Sequence, residues 1–332
     1  MLKSYGRYEE GKMEKRSLGK TGILVSPVSF GVLTVGKTQL DLPLEEGAGL
    51  IKHALSRGIN FFDTAQYYET YPYLREALKN TGRGEKPVIC SKSLCHTYRE
   101  MEYAVYEALK ELELETIDIF LLHEVRQAPD FESRRGAWEC LLHMKEKGII
   151  KAAGISTHHV DVAEMAAELP ECDVLFPLIN YAGLGIRKGS GAGTAREMRA
   201  AIEKNIGAGK GVFAMKAFGG GNLTGEYIKA LDYVFSIEGI SSVMVGIGAA
   251  EEIDRLVEYA EGTLPRDYAP DISGKKIRID QGDCEGCGAC IKRCPNKAIY
   301  RDSRGIACVD HSICLTCGYC APVCPVRAII MF

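Results

Sequence analysis

Eight cysteines near the C-terminus fall into two runs of one spacing, Cys284-x-x-Cys287-x-x-Cys290-x-x-x-Cys294-Pro295 and Cys314-x-x-Cys317-x-x-Cys320-x-x-x-Cys324-Pro325. Of the chain's 13 cysteines, four are scattered (Cys90, Cys95, Cys140 and Cys172) and nine crowd into the last fifty residues. Disulfide frameworks belong to small secreted domains, so thiols gathered at one end of a 332-residue chain point to metal. Zinc sites take four ligands, typically as Cys-x-x-Cys pairs. A third cysteine and a Cys-Pro in each run describe instead a loop wrapped around an iron–sulfur cubane, in which each thiolate reaches a different iron. The ninth cysteine, Cys308, lies in the apolar stretch Ile306-Ala307-Cys308-Val309 and reads as a buried core thiol.

Residues 276–332 resemble the bacterial two-cluster ferredoxins, including the internal repeat and the Ala298-Ile299 and Ala328-Ile329 steps that follow each run. The resemblance implies two [4Fe–4S] clusters with the fourth cysteine of each run crossing to the other cluster. Cys284, Cys287, Cys290 and Cys324 then hold one, and Cys314, Cys317, Cys320 and Cys294 hold the other. Gly286, Gly288 and Gly318 relieve backbone crowding beside the sulfurs.

A net charge of −3 gives no reason to expect nucleic acid or an anionic membrane as partner. No apolar run approaches the ~20 residues that span a bilayer. Residues 1–12 form a polar lead-in of mixed charge, unlike a signal peptide. The expected location is the cytoplasm.

From residue 13 to 264, short apolar runs alternate with amphipathic helical patterns. Strands are expected at 28–32, 61–63, 88–92, 117–123, 150–155, 174–179, 211–215 and 242–246. Helices are expected near 44–57, 73–79, 99–112, 135–147, 160–168, 195–208, 226–235 and 251–259, several closed by a glycine such as Gly58, Gly148 or Gly209. Eight strand–helix units predict an α/β fold, a (β/α)8 TIM barrel, followed by a small α+β ferredoxin-like domain. A doubly wound sheet would want Gly-x-Gly-x-x-Gly after its first strand, and none is there. Residues 265–275, with Pro265, Pro270 and Gly274, read as the linker.

In such a barrel the functional side chains lie where strands end. The strand ends carry Asp63, with Tyr68 five residues on, then Lys92 and His123. Here the chain resembles the aldo-keto reductases, from the opening Lys15-Arg16-Ser17-Leu18-Gly19-Lys20-Thr21-Gly22 and Val25-Ser26-Pro27 onward, and the family's tetrad falls on these four residues. The resemblance implies that Tyr68 protonates a carbonyl oxygen and that His123 orients it. A phenol with a pKa near ~10 needs help at neutral pH, so Lys92, anchored by Asp63, is expected to lower it.

The nicotinamide contacts depart from the family pattern. Ser156-Thr157 stands where the family has Ser-Asn. Phe176 occupies one alignment of an expected amide, with Asn180 close enough to substitute, and the residue that stacks on the ring falls on Met215, beside Lys216. Gly248 opens a helix that could hold a phosphate at its N-terminus, but the acids Glu251 and Glu252 stand there without a Lys or Arg to grip a 2′-phosphate, which favours NADH over NADPH, or a weak site, or none. The glycine-rich stretch 183–193, with Arg187 and Lys188, reads as a mobile loop. His158-His159 read as surface residues; for His96, four past Lys92, a place on the pocket rim is the less favoured of two readings.

The expected activity is reduction or oxidation of a small carbonyl or alcohol substrate, with clusters exchanging electrons with the site or with an electron-transfer protein. Two alternatives stand beside it: clusters that are structural or redox-sensing, and a barrel that has lost nicotinamide chemistry and serves as a scaffold. The cysteine pattern generates a direct test. Anaerobically purified protein is expected to carry a broad visible iron–sulfur absorbance that dithionite bleaches and air destroys; colourless, zinc-loaded protein would overturn the cluster reading.

Overall fold

The computed structural model describes residues 13–37, 39–79, 86–272, 274, 276–314 and 318–331, so the lead-in 1–12, Cys317 and parts of the linker lie outside the described residues. Eight parallel strands close into a barrel: β1 (Val28–Gly31), β2 (Phe61–Asp63), β3 (Val88–Ser93), β4 (Ile117–Leu122), β5 (Ile150–Thr157), β6 (Val174–Pro177), β7 (Gly211–Met215) and β8 (Ser242–Gly246). Each strand pairs with its neighbour in sequence, and β8 closes on β1. The expected strands and helices are all present, with ends differing by a few residues.

The strands are apolar on both faces because each is covered twice. Inside, Phe61, Phe176 and Phe213 fill the barrel, with Phe176 stacked on Phe213 at 4.1 Å between centroids. Outside, the apolar stripes of the helices pack on the strands; α3 (Tyr98–Leu112) turns Met101, Ala104, Val105, Ala108 and Leu112 inward. Thr97 and Glu100 form a capping box that satisfies the first amides of α3. At the base, the hairpin Arg16–Ser17 with Leu24–Val25 plugs the barrel with Leu18, Ile23 and Val25. The mouth, at the C-terminal strand ends, is left for function.

The C-terminal unit is two antiparallel strand pairs, β9 (Ile277–Ile279) with β12 (Ile329–Met331) and β10 (Ile299–Arg301) with β11 (Ala307–Val309), around a core that includes cysteines. Cys308 is half-buried on β11 rather than sealed in the core, because it lies across from the exposed Tyr300 in the ladder.

This unit sits against the barrel mouth. Stretch 183–193, expected as a mobile loop, instead forms a short hairpin, Arg187–Lys188 with Gly191–Ala192, and Arg187 Nη1 donates to the Pro325 carbonyl at 3.1 Å. The loop after β7 receives the C-terminal strand: Met331 N donates to the Gly220 carbonyl at 3.0 Å, and Asn222 Nδ2 to that of Ile329 at 3.3 Å. Gly221 has φ +85°, and a β-carbon there would strike the Met331 carbonyl oxygen. Both conformation and space therefore require glycine. Gly221→Ala is expected to weaken docking by more than about 1 kcal/mol, read as faster proteolysis in the 265–275 linker with barrel melting unchanged; unchanged proteolysis would count against the contact.

Candidate functional site

Parallel strands deliver Asp63 at the end of β2, Lys92 next to the end of β3, and His123 just past β4, all at the mouth. Tyr68 reaches them from the 3-10 turn Gln66–Tyr68. Lys92 Nζ donates to both carboxylate oxygens of Asp63 at 2.8 Å and to the Thr64 carbonyl at 2.6 Å. Both side chains are buried, so loss of either partner strands a charge at a cost of about 3–5 kcal/mol. The same ammonium lies over the Tyr68 ring, 4.6 Å from its centroid. Tyr68 Oη is 3.2 Å from His123 Nε2.

Arg134, 2% exposed, ties these strand ends together by donating to the carbonyls of His123 at 2.8 Å, Ser93 at 2.9 Å and Cys95 at 3.1 Å. It sits between two helices, α4 (Ala128–Ser133) and α5 (Arg135–Glu146), and no sequence pattern marks it.

The electrostatics correct one expectation. Tyr68 is pushed well above the ordinary tyrosine pKa, first by burial, then by the charges of Asp63, Asp283, Glu124 and Asp280. The net push is upward, and Lys92, whose ammonium donates to Asp63, does not outweigh it. Burial also pushes the Asp63 carboxyl up, against the pull of Lys92. His123 is pushed well below the ordinary imidazole value by burial and then by Lys92, Arg134 and Lys216. Its Nδ1 is buried with no partner among the described residues. A sealed N–H without an acceptor is costly, so the favoured neutral tautomer carries its proton on Nε2, facing Tyr68.

These residues open into a cavity of about 820 Å³, within the range of small-molecule sites. Its opposite wall is the iron–sulfur unit: Asp280, Asp283 and Arg327 line it, and Lys216 Nζ lies 3.5 Å from Asp283 Oδ2. His96 borders the cavity, against the reading favoured for it. His158 borders it too, against the surface reading, and His159 is buried at the start of α6 (Val160–Glu168), its pKa pushed down to about 4 by burial and Arg187. Their place just after β5 was the available signal.

The nucleotide residues are only partly brought together. Ser156, Thr157, Phe176, Met215, Lys216 and Gly248 border the cavity. The Ser156 hydroxyl accepts from Glu124 N at 2.8 Å, and that of Thr157 donates to the Val125 carbonyl at 2.6 Å. Asn180 is fully buried, its amide turned onto Leu184 and the Lys216 carbonyl, and does not border the cavity. At the N-terminus of α9 (Ala250–Glu261), Gly248 N already donates to Glu252 Oε2 at 2.7 Å. A carboxylate of the chain itself therefore stands at the place an anion would take. Arg255, missed in the sequence, also borders the cavity, but Glu258 at 2.7 Å and Glu251 at 3.6 Å engage its guanidinium.

In the C-terminal unit, burial and then the thiols of Cys324, Cys284 and Cys287 push the Cys290 thiol up. Burial, with Cys290, Cys294 and Cys314 nearby, pushes Cys320 to about 11. Cys290 thus lies near the three partners that the crossing pattern gives it, whereas Cys320 lies near Cys294 and Cys314 of its own set and also near Cys290 of the other. Among the described residues no three side chains converge tightly enough for a single ion. The donor set fits iron–sulfur clusters.

A parallel eight-stranded barrel carries this constellation at its mouth. Residues 27–236 match the Aldo/keto reductase family, and residues 283–328 match the 4Fe-4S dicluster domain. The chain belongs to the aldo/keto reductase family, with an iron–sulfur domain fused behind the barrel. It is 25% identical over 189 residues to L-galactose dehydrogenase of Arabidopsis thaliana, covering 53% of this chain and 58% of that protein. It is 29% identical over 120 residues to methylglyoxal reductase DkgA of Escherichia coli (strain K12), covering 35% and 43%. The chain thus spans about half the length of the curated relatives it matches. Among solved structures, an aldo-keto reductase of Bacillus halodurans in its holo form superposes with a TM-score of 0.61 at 19% identity, covering 76% of this chain and 92% of that one. No described helix is long and apolar enough to cross a membrane.

His123 generates a pH test. Its folded pKa is depressed, so the unfolded chain binds a proton that the folded chain refuses once pH falls below about 6.5. Its contribution to stability is present above that value and is lost on acidification toward the folded pKa. The His123 ring signals in NMR are expected to keep their neutral shifts through pH 6; a midpoint near 6.5 would refute the sealed, neutral imidazole.

Proposed function

We propose that the protein is a carbonyl–alcohol oxidoreductase working in the cleft between barrel and iron–sulfur domain, with two [4Fe–4S] clusters for electron transfer. The observation that carries this reading is the meeting of Tyr68, His123, Lys92 and Asp63 in one cavity whose far wall is the cysteine-bearing unit. The barrel is taken as 13–264, the linker as 265–275 and the iron–sulfur domain as 276–332, in a cytoplasmic protein.

A substrate carbonyl oxygen fits between Tyr68 Oη and His123 Nε2. His123 Nε2–H donates to it and fixes its orientation. As negative charge develops on that oxygen, Tyr68 gives up its proton; an alkoxide is basic enough to take it from a phenol held above its ordinary pKa. A phenol kept protonated suits reduction better than oxidation, which would need a phenolate base. Lys92, fixed by Asp63, stabilises the phenolate left behind. A nicotinamide nucleotide, when bound along Ser156, Thr157, Met215 and Lys216, supplies hydride, and Glu251 and Glu252 favour NADH over NADPH by repelling a 2′-phosphate. The substrates named for the relatives, methylglyoxal and L-galactose, make small oxygenated carbonyls and alcohols the class to try first.

A second reading has its own support. Glu252 on Gly248 N and the inward amide of Asn180 are what a barrel without a nucleotide would show, and its clusters would then serve a protein electron carrier on a scaffold.

The test is anaerobic stopped-flow of cluster-loaded protein with NADH or NADPH and a carbonyl panel that includes methylglyoxal. Substrate-dependent nicotinamide oxidation is expected, and Tyr68→Phe should cut it by about 10²–10⁴-fold with iron content unchanged. Full activity in Tyr68→Phe would overturn the proton-donor role.

A further inference from the structure

The iron–sulfur unit carries an internal repeat, and its halves meet the barrel unequally. Lys297 and Arg327 are equivalent, each three residues past the last cysteine of its run, and both have left-handed backbones, φ +53° and +58°. Lys297 is exposed, whereas Arg327 is 6% exposed. Arg327 packs so near Gly185 that a β-carbon there would run into its side chain. Its Nη1 donates to the Ala321 carbonyl, inside the stretch between Cys320 and Cys324. Its Nε is buried with no partner among the described residues, and the side chain borders the cleft.

The other contacts favour the same side. Asp283 and Glu285, which flank Cys284, meet Lys216 at 3.5 Å and Arg126 at 3.6 Å. Pro325, next to Cys324, accepts from Arg187. Cys294, Cys314 and Cys320 instead border a small separate cavity with Pro295 and Val309, and no barrel residue lines it.

We propose that the cluster ligated by Cys284, Cys287, Cys290 and Cys324 is the one facing the cleft, and that Arg327 is a positioning residue that raises its reduction potential above that of its twin. The inference rests on the two-cluster reading. Reduction adds one electron and no proton, so the reduced cluster is the more negative state. A cation removed from water and held beside the Cys324 loop favours that state; Lys297, in solvent, is screened. The two carboxylates flanking Cys284 oppose the effect little, because Lys216 and Arg126 partner them.

The experiment is a dithionite titration of the full, cluster-loaded chain followed by EPR, comparing wild type, Arg327→Gln and Lys297→Gln. Arg327→Gln should lower the reduced-to-oxidised ratio of one cluster about tenfold at fixed potential, equivalent to about 59 mV for a one-electron couple. Lys297→Gln should leave both clusters in place. Cys287→Ser identifies the barrel-facing signal; if that variant does not assemble, Cys314→Ser identifies the other. Equal shifts of both clusters, no shift, or a shift of the Cys314-marked cluster overturns the proposal. A one-cluster shift without any carbonyl turnover supports it while removing the carbonyl reading. Turnover with equal shifts removes only this proposal.

Discussion

Two loops at the top of the barrel, 183–193 and 216–222, hold the iron–sulfur domain over its mouth, and the properties of the cleft follow from that contact. Barrel mouths are ordinarily bounded by the βα loops alone. Here Asp280 and Asp283 enter from the added domain and, with Glu124 of the barrel, surround Tyr68 with negative charge. Across the boundary Lys216 answers Asp283, and Arg126 answers Glu285. Separately these charges would be screened surface groups; facing one another around a shared cavity, they add to the burial that keeps the phenol protonated.

That contact also organises the chemistry. The Lys92–Asp63 pair is sealed beneath the cavity and fixes one wall, while the cysteine-bearing wall is placed by a backbone hydrogen bond to Gly220 and by one from the Arg187 side chain. Proton donor and proposed electron carriers are thus anchored independently. A change in one wall can alter potential without disturbing the tetrad, which is why iron content and turnover can be read as separate quantities.

Much of this was legible in the chain. Period and length placed all eight strands, since a strand buried on both faces leaves an apolar run bounded by glycines and helix caps. The tetrad was readable because strand ends in a barrel converge whatever the loops do. Legibility failed where the added domain intervenes. Stretch 183–193 looks like a free loop because its glycines serve a partner surface some 140 positions later, and Arg327 looks like the solvated Lys297 of the sister repeat. The Tyr68 environment was misjudged for the same reason: Asp280 and Asp283 come from beyond the linker. Asn180 and Arg255 were misread because the direction of a side chain, inward or toward the cavity, is not written in a one-dimensional pattern.

Glu252 has a consequence for any phosphate-bearing ligand. Its carboxylate already accepts the Gly248 amide, so the chain carries an internal competitor in the seat that an anion would use. Binding there is an exchange rather than an addition: the incoming phosphate must first evict a tethered group that is always present at the same effective concentration. That fixed occupancy would scale down, by one common factor, the affinity of any ligand that places a phosphate there. What discriminates among such ligands is then the rest of each molecule: a 2′-phosphate facing Glu251 and Glu252, and the parts that lie deeper, near Tyr68 and His123.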